Sequence, residues 1–214
     1  AVGHWWGESV VSDSFGLHVT ECQRCCRCGK ASRGMRFTKF FQMVSTEQWR
    51  SLWLESGERL SPEQLLKKTY SFFERPCGKC TKRGMDGDTE FVTRQAVCHP
   101  PAYFSLLLVW DGAEASAAQI SSLLTLLPLT LDLSLVLDVE QPPGREEGTQ
   151  YRLRCIVCFY RSHFVLISYV PRVGEWVQFD DNSVKAIGAW TDVLAKCERG
   201  GLQPLVVFFE RYSV

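Results

Sequence analysis

Along residues 163–181, HFVLISYVPRVGEWVQFDD, apolar and polar side chains alternate on both sides of Pro171-Arg172-Val173-Gly174. The pattern predicts a hairpin of two strands, His163–Val170 and Glu175–Phe179, because a period of two turns one face toward a core. Tyr151–Tyr160 reads as a strand leading into it, and LQPLVVFFERY closes the chain as a buried strand. AYFSLLLVW, from Ala102, is a continuous apolar run of the kind a central strand needs. Leu129, Leu131, Leu133, Leu135 and Leu137 alternate strictly and predict a half-buried strand. Nearer the start, SFGLHVTECQRC and RFTKFFQMV each predict one strand.

Between these lie segments with a helical period. Ser45-Thr46-Glu47-Gln48 is a capping-box start, followed by a stripe of Trp49, Leu52 and Trp53. Ser61-Pro62-Glu63-Gln64 opens a second helix whose face carries Leu65, Leu66, Thr69, Phe72 and Phe73 and which Pro76 stops. Two more helices are predicted, Ser116–Leu126 before Pro128 and a short one around Ala189–Cys197. The fold class is α+β, dominated by an antiparallel sheet, with a cysteine-bearing insertion on its N-terminal side.

The 214 residues suit one large domain or two small ones, and 45% apolar content supplies material for a core. Formal net charge is zero, so no global field recruits nucleic acid or an anionic membrane. The most apolar region, Leu123–Val139, is interrupted by Pro128, Asp132 and Asp138 and is too short and charged to span a bilayer. AVGHWWGESVVSD has no signal-peptide character, and the chain reads as the interior of a longer intracellular protein of cytoplasm or nucleus.

Ten cysteines change the picture. A disulfide scaffold is short, loop-rich and secreted, so reduced cysteines with a metal site fit this chain better. Cys25-x-x-Cys28 is followed by Gly29, and Cys77-Gly78-Lys79-Cys80 repeats the spacing. Two residues between thiolates let both reach one ion, and two such knuckles complete a tetrahedral structural zinc site. Cys22-x-x-Cys25 has the same spacing and Cys26 lies between; Gly29 favours Cys25 and Cys28 by giving the knuckle a permissive backbone. Cys155-x-x-Cys158 falls in a strand, where side chains three apart face opposite ways and cannot chelate. Those two, Cys98 and Cys197 read as core or surface residues.

A histidine base needs a carboxylate on its far nitrogen, and the hairpin brings Phe179–Asp181 near His163. On spacing alone, a histidine at a strand start is more often a solvated side chain. The wider segment, with Tyr151, Leu153, His163-Phe164, Trp176, Phe179-Asp180-Asp181 and Val184, resembles the histidine box of the ubiquitin-specific proteases. SFGLHVTECQRCCRCG and CGKC resemble that family's zinc-bearing fingers, and PPAYFSLLLVWD the strand after them. Residues 180–210, DDNSVKAIGAWTDVLAKCERGGLQPLVVFFE, are similar to a divergent subgroup that includes plant proteins.

The resemblance implies a papain-like right-hand fold, with residues 1–100 as fingers, 101–214 as palm, and the thumb missing. It implies a Cys-His-Asp triad that cleaves after the C-terminal glycine of ubiquitin, with His163 as general base and Asp180 orienting it. Phe164 and Trp176 become the substrate-binding candidates, and Cys25, Cys28, Cys77 and Cys80 the zinc ligands. Expected partners are ubiquitin or ubiquitinated proteins, with no nucleic acid and no membrane. Ser162 replaces the usual glycine before the histidine, the loop after Cys158 is short, and Cys158 stands where many members carry another histidine. The box supplying the nucleophile is expected to precede residue 1, so the chain alone is expected to be inactive. The competing reading is a ubiquitin-binding pseudoprotease. A zinc-ribbon nucleic-acid module, resting only on local arginines and lysines, is disfavoured by the zero net charge.

Overall fold

Alternating segments of the chain become strands of two sheets, and the helical stripes pack on one face of the larger. The computed structural model describes residues 9–141 and 147–212, apart from the side chains of Phe72 and Phe73. In chain order, α1 (Val10–Phe15), β1 (Leu17–Cys25), β2 (Met35–Lys39), β3 (Gln42–Ser45), α2 (Thr46–Glu55) and α3 (Pro62–Ser71) come first. They are followed by β4 (Phe72–Pro76), α4 (Gly78–Thr81), β5 (Asp88–Val97), β6 (Tyr103–Val109), α5 (Ala117–Leu126) and β7 (Thr130–Asp132). Next are α6 (Leu133–Val136), β8 (Asp138–Val139), β9 (Gln150–Tyr160), β10 (His163–Val170) and β11 (Glu175–Asp180). The chain ends with β12 (Ser183–Gly188), α7 (Trp190–Gly200) and β13 (Gln203–Arg211).

The smaller sheet runs β2-β1-β5-β4, with β8 joined to β5. The larger runs β12-β11-β10-β9-β13-β6-β3, with β7 joined to β9. Pairing is antiparallel except for β3 with β6 and β5 with β8. Through β3 and β8 each half of the chain lends a strand to the other's sheet, so the division at residue 100 is crossed in both directions. No helix among the described residues is long and apolar enough to cross a membrane.

The predicted caps form. Ser45 Oγ accepts from the Gln48 amide, Ser116 and Gln119 make a reciprocal capping box, and Ser61 and Gln64 satisfy each other in the same way. α7 ends at Gly201, whose φ of 62° is the left-handed cap that a side chain would strain. Trp49, Leu65, Leu66, Ile120, Leu124 and Val193 from the helices join Phe104, Ile156, Ile167 and Val207 from the large sheet in one fully buried core. Each such side chain contributes about 1.5–3 kcal/mol by leaving water, which fixes the large sheet as the rigid platform of the hairpin.

Three expectations are corrected. The leucine run 129–137 is not one strand: Asp132 Oδ1 accepts from the Ser134 amide at 2.9 Å and turns the chain into α6. Leu133 and Leu137 stay buried while Leu129 and Leu135 are exposed, so the alternation reflects two elements meeting one core. RFTKFFQMV breaks at Phe40-Phe41 into β2 and β3, which join different sheets. The second helix stops at Ser71, because residues 72–76 pair with β5 (Phe73 with Phe91, Arg75 with Thr89), and this pairing outweighs helical spacing. β5 and β12 were not predicted. β5 buries Thr93 and Gln95, and hydrogen bonds join Gln95 to Glu21 and Gln42, so its buried face looks polar in sequence.

Candidate catalytic dyad and four-cysteine cluster

Register places the histidine. Leu166 pairs with Phe179, so one step further along Asp180 stands across from Val165. His163, two residues before Val165, shares that face. The side chains meet: His163 Nε2 is 2.6 Å from Asp180 Oδ1, and Asp181 Oδ2 lies 4.0 Å from the same nitrogen. The other carboxylate oxygen, Asp180 Oδ2, accepts from Gln178 Nε2 at 3.1 Å.

The hydrogen bond to Asp180 raises the His163 pKa above its ordinary value, and the same bond lowers that of Asp180. With Nε2 donating to the carboxylate, a neutral imidazole carries its lone pair on Nδ1. A base needs that arrangement. The turn that delivers His163 is tight: Arg161 and Ser162 have φ of 48° and 73°, and Tyr160 pairs with His163 to close it.

The two substrate-binding candidates part company. Phe164 lies on the opposite face, 59% exposed, its ring 5.5 Å from that of Phe159. Trp176 is 5% exposed, with Tyr169 at 5.7 Å and Trp190 at 5.0 Å between ring centroids. It belongs to the buried core, packed against Trp190 at the start of α7.

At the far end of the smaller sheet, Cys25 ends β1, Cys28 lies in the following turn, and Cys77 and Cys80 bracket the start of α4. Their sulfurs lie within 4.8 Å of one another, with Cys25–Cys80 at 3.8 Å and Cys28–Cys77 at 3.7 Å. A tetrahedron with zinc–sulfur bonds of about 2.3 Å has edges of about 3.8 Å, so these spacings fit a Cys₄ site. Gly29 has φ of 67° and its amide donates to the Cys25 carbonyl, closing the knuckle as its position after Cys28 predicts.

Backbone donation from Cys80 draws the Cys77 thiol down to about 6, while burial pushes Cys80 up to about 12. One of the four is thus already inclined to the thiolate that a metal needs. Cys22 and Cys26 stay outside the cluster. Cys158 and Cys197 are both buried in the main core, where the neighbouring Cys197 and burial push the Cys158 thiol well up. Sequence reasoning missed Gln178. Its signal was its place two residues before Asp180, on the same face of β11.

The chain matches the family profile described as ubiquitin carboxyl-terminal hydrolase over residues 3–206. It is similar to human ubiquitin carboxyl-terminal hydrolase 53, 27% identical over 214 residues, which cover 94% of this chain and 18% of that protein. It is also similar to mouse ubiquitin carboxyl-terminal hydrolase 54, 28% identical over 211 residues, covering 94% of this chain and 12% of that protein. The rat protein of the same description gives the same figures. The chain spans less than a fifth of the length of these relatives. With its mixed fold of two sheets and seven helices among the described residues, the chain belongs to the ubiquitin carboxyl-terminal hydrolase family, as a divergent member of the ubiquitin-specific protease group.

Proposed function

We propose that this domain removes ubiquitin from proteins by thiol-dependent hydrolysis after ubiquitin's C-terminal glycine, with His163 as general base and Asp180 as the carboxylate that orients it. What supports the reading most is the 2.6 Å contact from His163 Nε2 to Asp180 Oδ1 in a chain of this family. Nδ1 then takes the thiol proton as sulfur attacks the scissile carbonyl, and returns it to the leaving amine as the acyl-enzyme forms. The nucleophile in this reading is a cysteine from outside the described residues, whose ten cysteines include none in the sequence setting of the family's nucleophile box.

Exposed Phe164 lines the channel for the ubiquitin tail, and Trp176 supports the hairpin from behind. Residues 1–100 form the fingers and 101–214 the palm. Cys25, Cys28, Cys77 and Cys80 would hold a structural zinc, which ties β1 to α4 and takes no part in the reaction. The partners are ubiquitin and ubiquitinated proteins in the cytoplasm or nucleus, with neither nucleic acid nor membrane required.

A second reading, a ubiquitin-binding pseudoprotease, draws on Ser162, whose left-handed backbone beside the histidine carries no glycine. Turnover of ubiquitin bearing a fluorogenic amide at its C-terminus separates the two in the full-length protein. His163→Ala is expected to slow release by roughly 10²–10⁴-fold with ubiquitin affinity kept. Equal turnover by parent and variant contradicts the role of His163. Binding by the parent without any turnover supports the second reading.

A further inference from the structure

We infer that Gln178 is a positioning residue for the dyad, holding Asp180 Oδ2 so that Oδ1 stays aimed at His163. The inference rests on the reading of His163 and Asp180 as base and orienting carboxylate, and it adds a third member that the histidine box did not point to.

Three observations carry it. Gln178 Nε2 donates to Asp180 Oδ2 at 3.1 Å while His163 holds Oδ1 at 2.6 Å, so each oxygen of the carboxylate has its own donor. Two fixed oxygens define the plane of a carboxylate, whereas one leaves it free to rotate. Gln178 itself is anchored: it is 8% exposed, and its backbone lies mid-strand between Ile167 of β10 and Lys185 of β12. Asp180, by contrast, ends its strand, is 37% exposed in its side chain, and is followed by Asp181 with φ of 49°. The mobile group is therefore held by the immobile one.

The third observation is an unmet hydrogen bond. Gln178 Oε1 is sealed from solvent and has no partner among the described residues. Rotating the amide by half a turn would relieve nothing, because it would place Oε1 against a carboxylate that only accepts. A buried carbonyl without a donor is costly, and a residue serving packing alone would be better replaced by an apolar one of the same length. Such a cost is borne where the amide nitrogen is needed, here on Asp180. Without it, the groups left acting on the carboxylate are His163, on Oδ1, and the charge of Lys185 on β12, and neither is hydrogen-bonded to Oδ2. Asp181, near the same imidazole nitrogen, is 82% exposed and sets no orientation.

The test is a titration of the His163 ring followed by ¹H–¹⁵N correlation in the parent chain and in Gln178→Met, which keeps length and removes both amide atoms. The His163 pKa is expected to fall toward its ordinary value, because the Oδ1 contact that raises it is populated less. The circular-dichroism spectrum should stay intact. Gln178→Leu repeats the measurement with a different apolar shape. Asp180→Asn is the control for the underlying reading and is expected to lower the His163 pKa by more than either. An unmoved or raised His163 pKa in the folded Gln178 variants overturns the inference, and so does unfolding of both, which would make Gln178 a packing requirement. An unmoved pKa in Asp180→Asn overturns the dyad itself. In the full-length enzyme, the acid limb of the rate–pH profile should shift down in Gln178→Met in step with the ring titration.

Discussion

Ser162→Gly is expected to stabilise the protein, at the residue next to the histidine. Arg161 and Ser162 are consecutive left-handed residues, φ 48° and 73°, joining β9 to β10, with Tyr160 and His163 as the closing pair. Two positive φ angles in a two-residue hairpin loop favour Asn-Gly, and this loop has neither residue. An L side chain held in the left-handed region costs about 1–2 kcal/mol, which glycine at position 162 removes. Against this, glycine adds about 0.5–1 kcal/mol of backbone freedom to the unfolded chain. Among the described residues the exposed Ser162 hydroxyl donates to the Arg161 carbonyl, which water can serve as well. The net gain is about 0.5–1 kcal/mol, or about 1–4 °C in Tm for a chain of this size. Calorimetric melting of the parent, Ser162→Gly and Ser162→Ala measures it. Alanine keeps the strain and should not gain. A glycine variant melting no higher than the alanine variant would refute the reasoning from backbone strain, and with it the view that His163 is delivered by a strained turn.

If Cys25, Cys28, Cys77 and Cys80 form a zinc site, elemental analysis of folded protein should give about one zinc per chain, and Cys80→Ser should lose it. A folded preparation free of zinc would remove the metal from the account. The dyad also has a pH window. His163, with its pKa raised, contributes stability fully present below 6.5 and lost as pH climbs through its raised value. Asp180, with its pKa lowered, contributes stability present above 3.8 and lost as pH falls through its lowered value. Denaturation midpoints against pH should therefore differ most between parent and Asp180→Asn between those two limits, and a difference independent of pH would contradict the pairing.

Much of the site could be read in the sequence because it is built from short-range rules. A period of two and a turn at Pro171–Gly174 suffice to put Asp180 beside His163, and the observed register differs in no strand that matters for it. The cysteine knuckles likewise depend on local spacing and on Gly29. What stayed hidden depends on partners far along the chain. Residues 72–76 follow a helix that would continue by its own pattern, but the exposed edge of β5 captures them. β5 is hard to recognise because the polar contacts of Gln95 with Glu21 and Gln42 exist only once the smaller sheet is formed. Trp176 is a substrate-binding candidate by resemblance alone, and its place in the core against Trp190 of α7 depends on packing that its own neighbours in the chain do not show. Gln178 went unread for the same reason, since its meaning lies in one donor bond and one unmet acceptor.

The central claim, that this fold serves ubiquitin, is tested most directly by titrating the protein into ¹⁵N-labelled ubiquitin. The account predicts chemical-shift changes confined to ubiquitin's C-terminal tail and the surface around it, reduced when the exposed Phe164 is replaced by Asp. A flat titration at high protein concentration would contradict it.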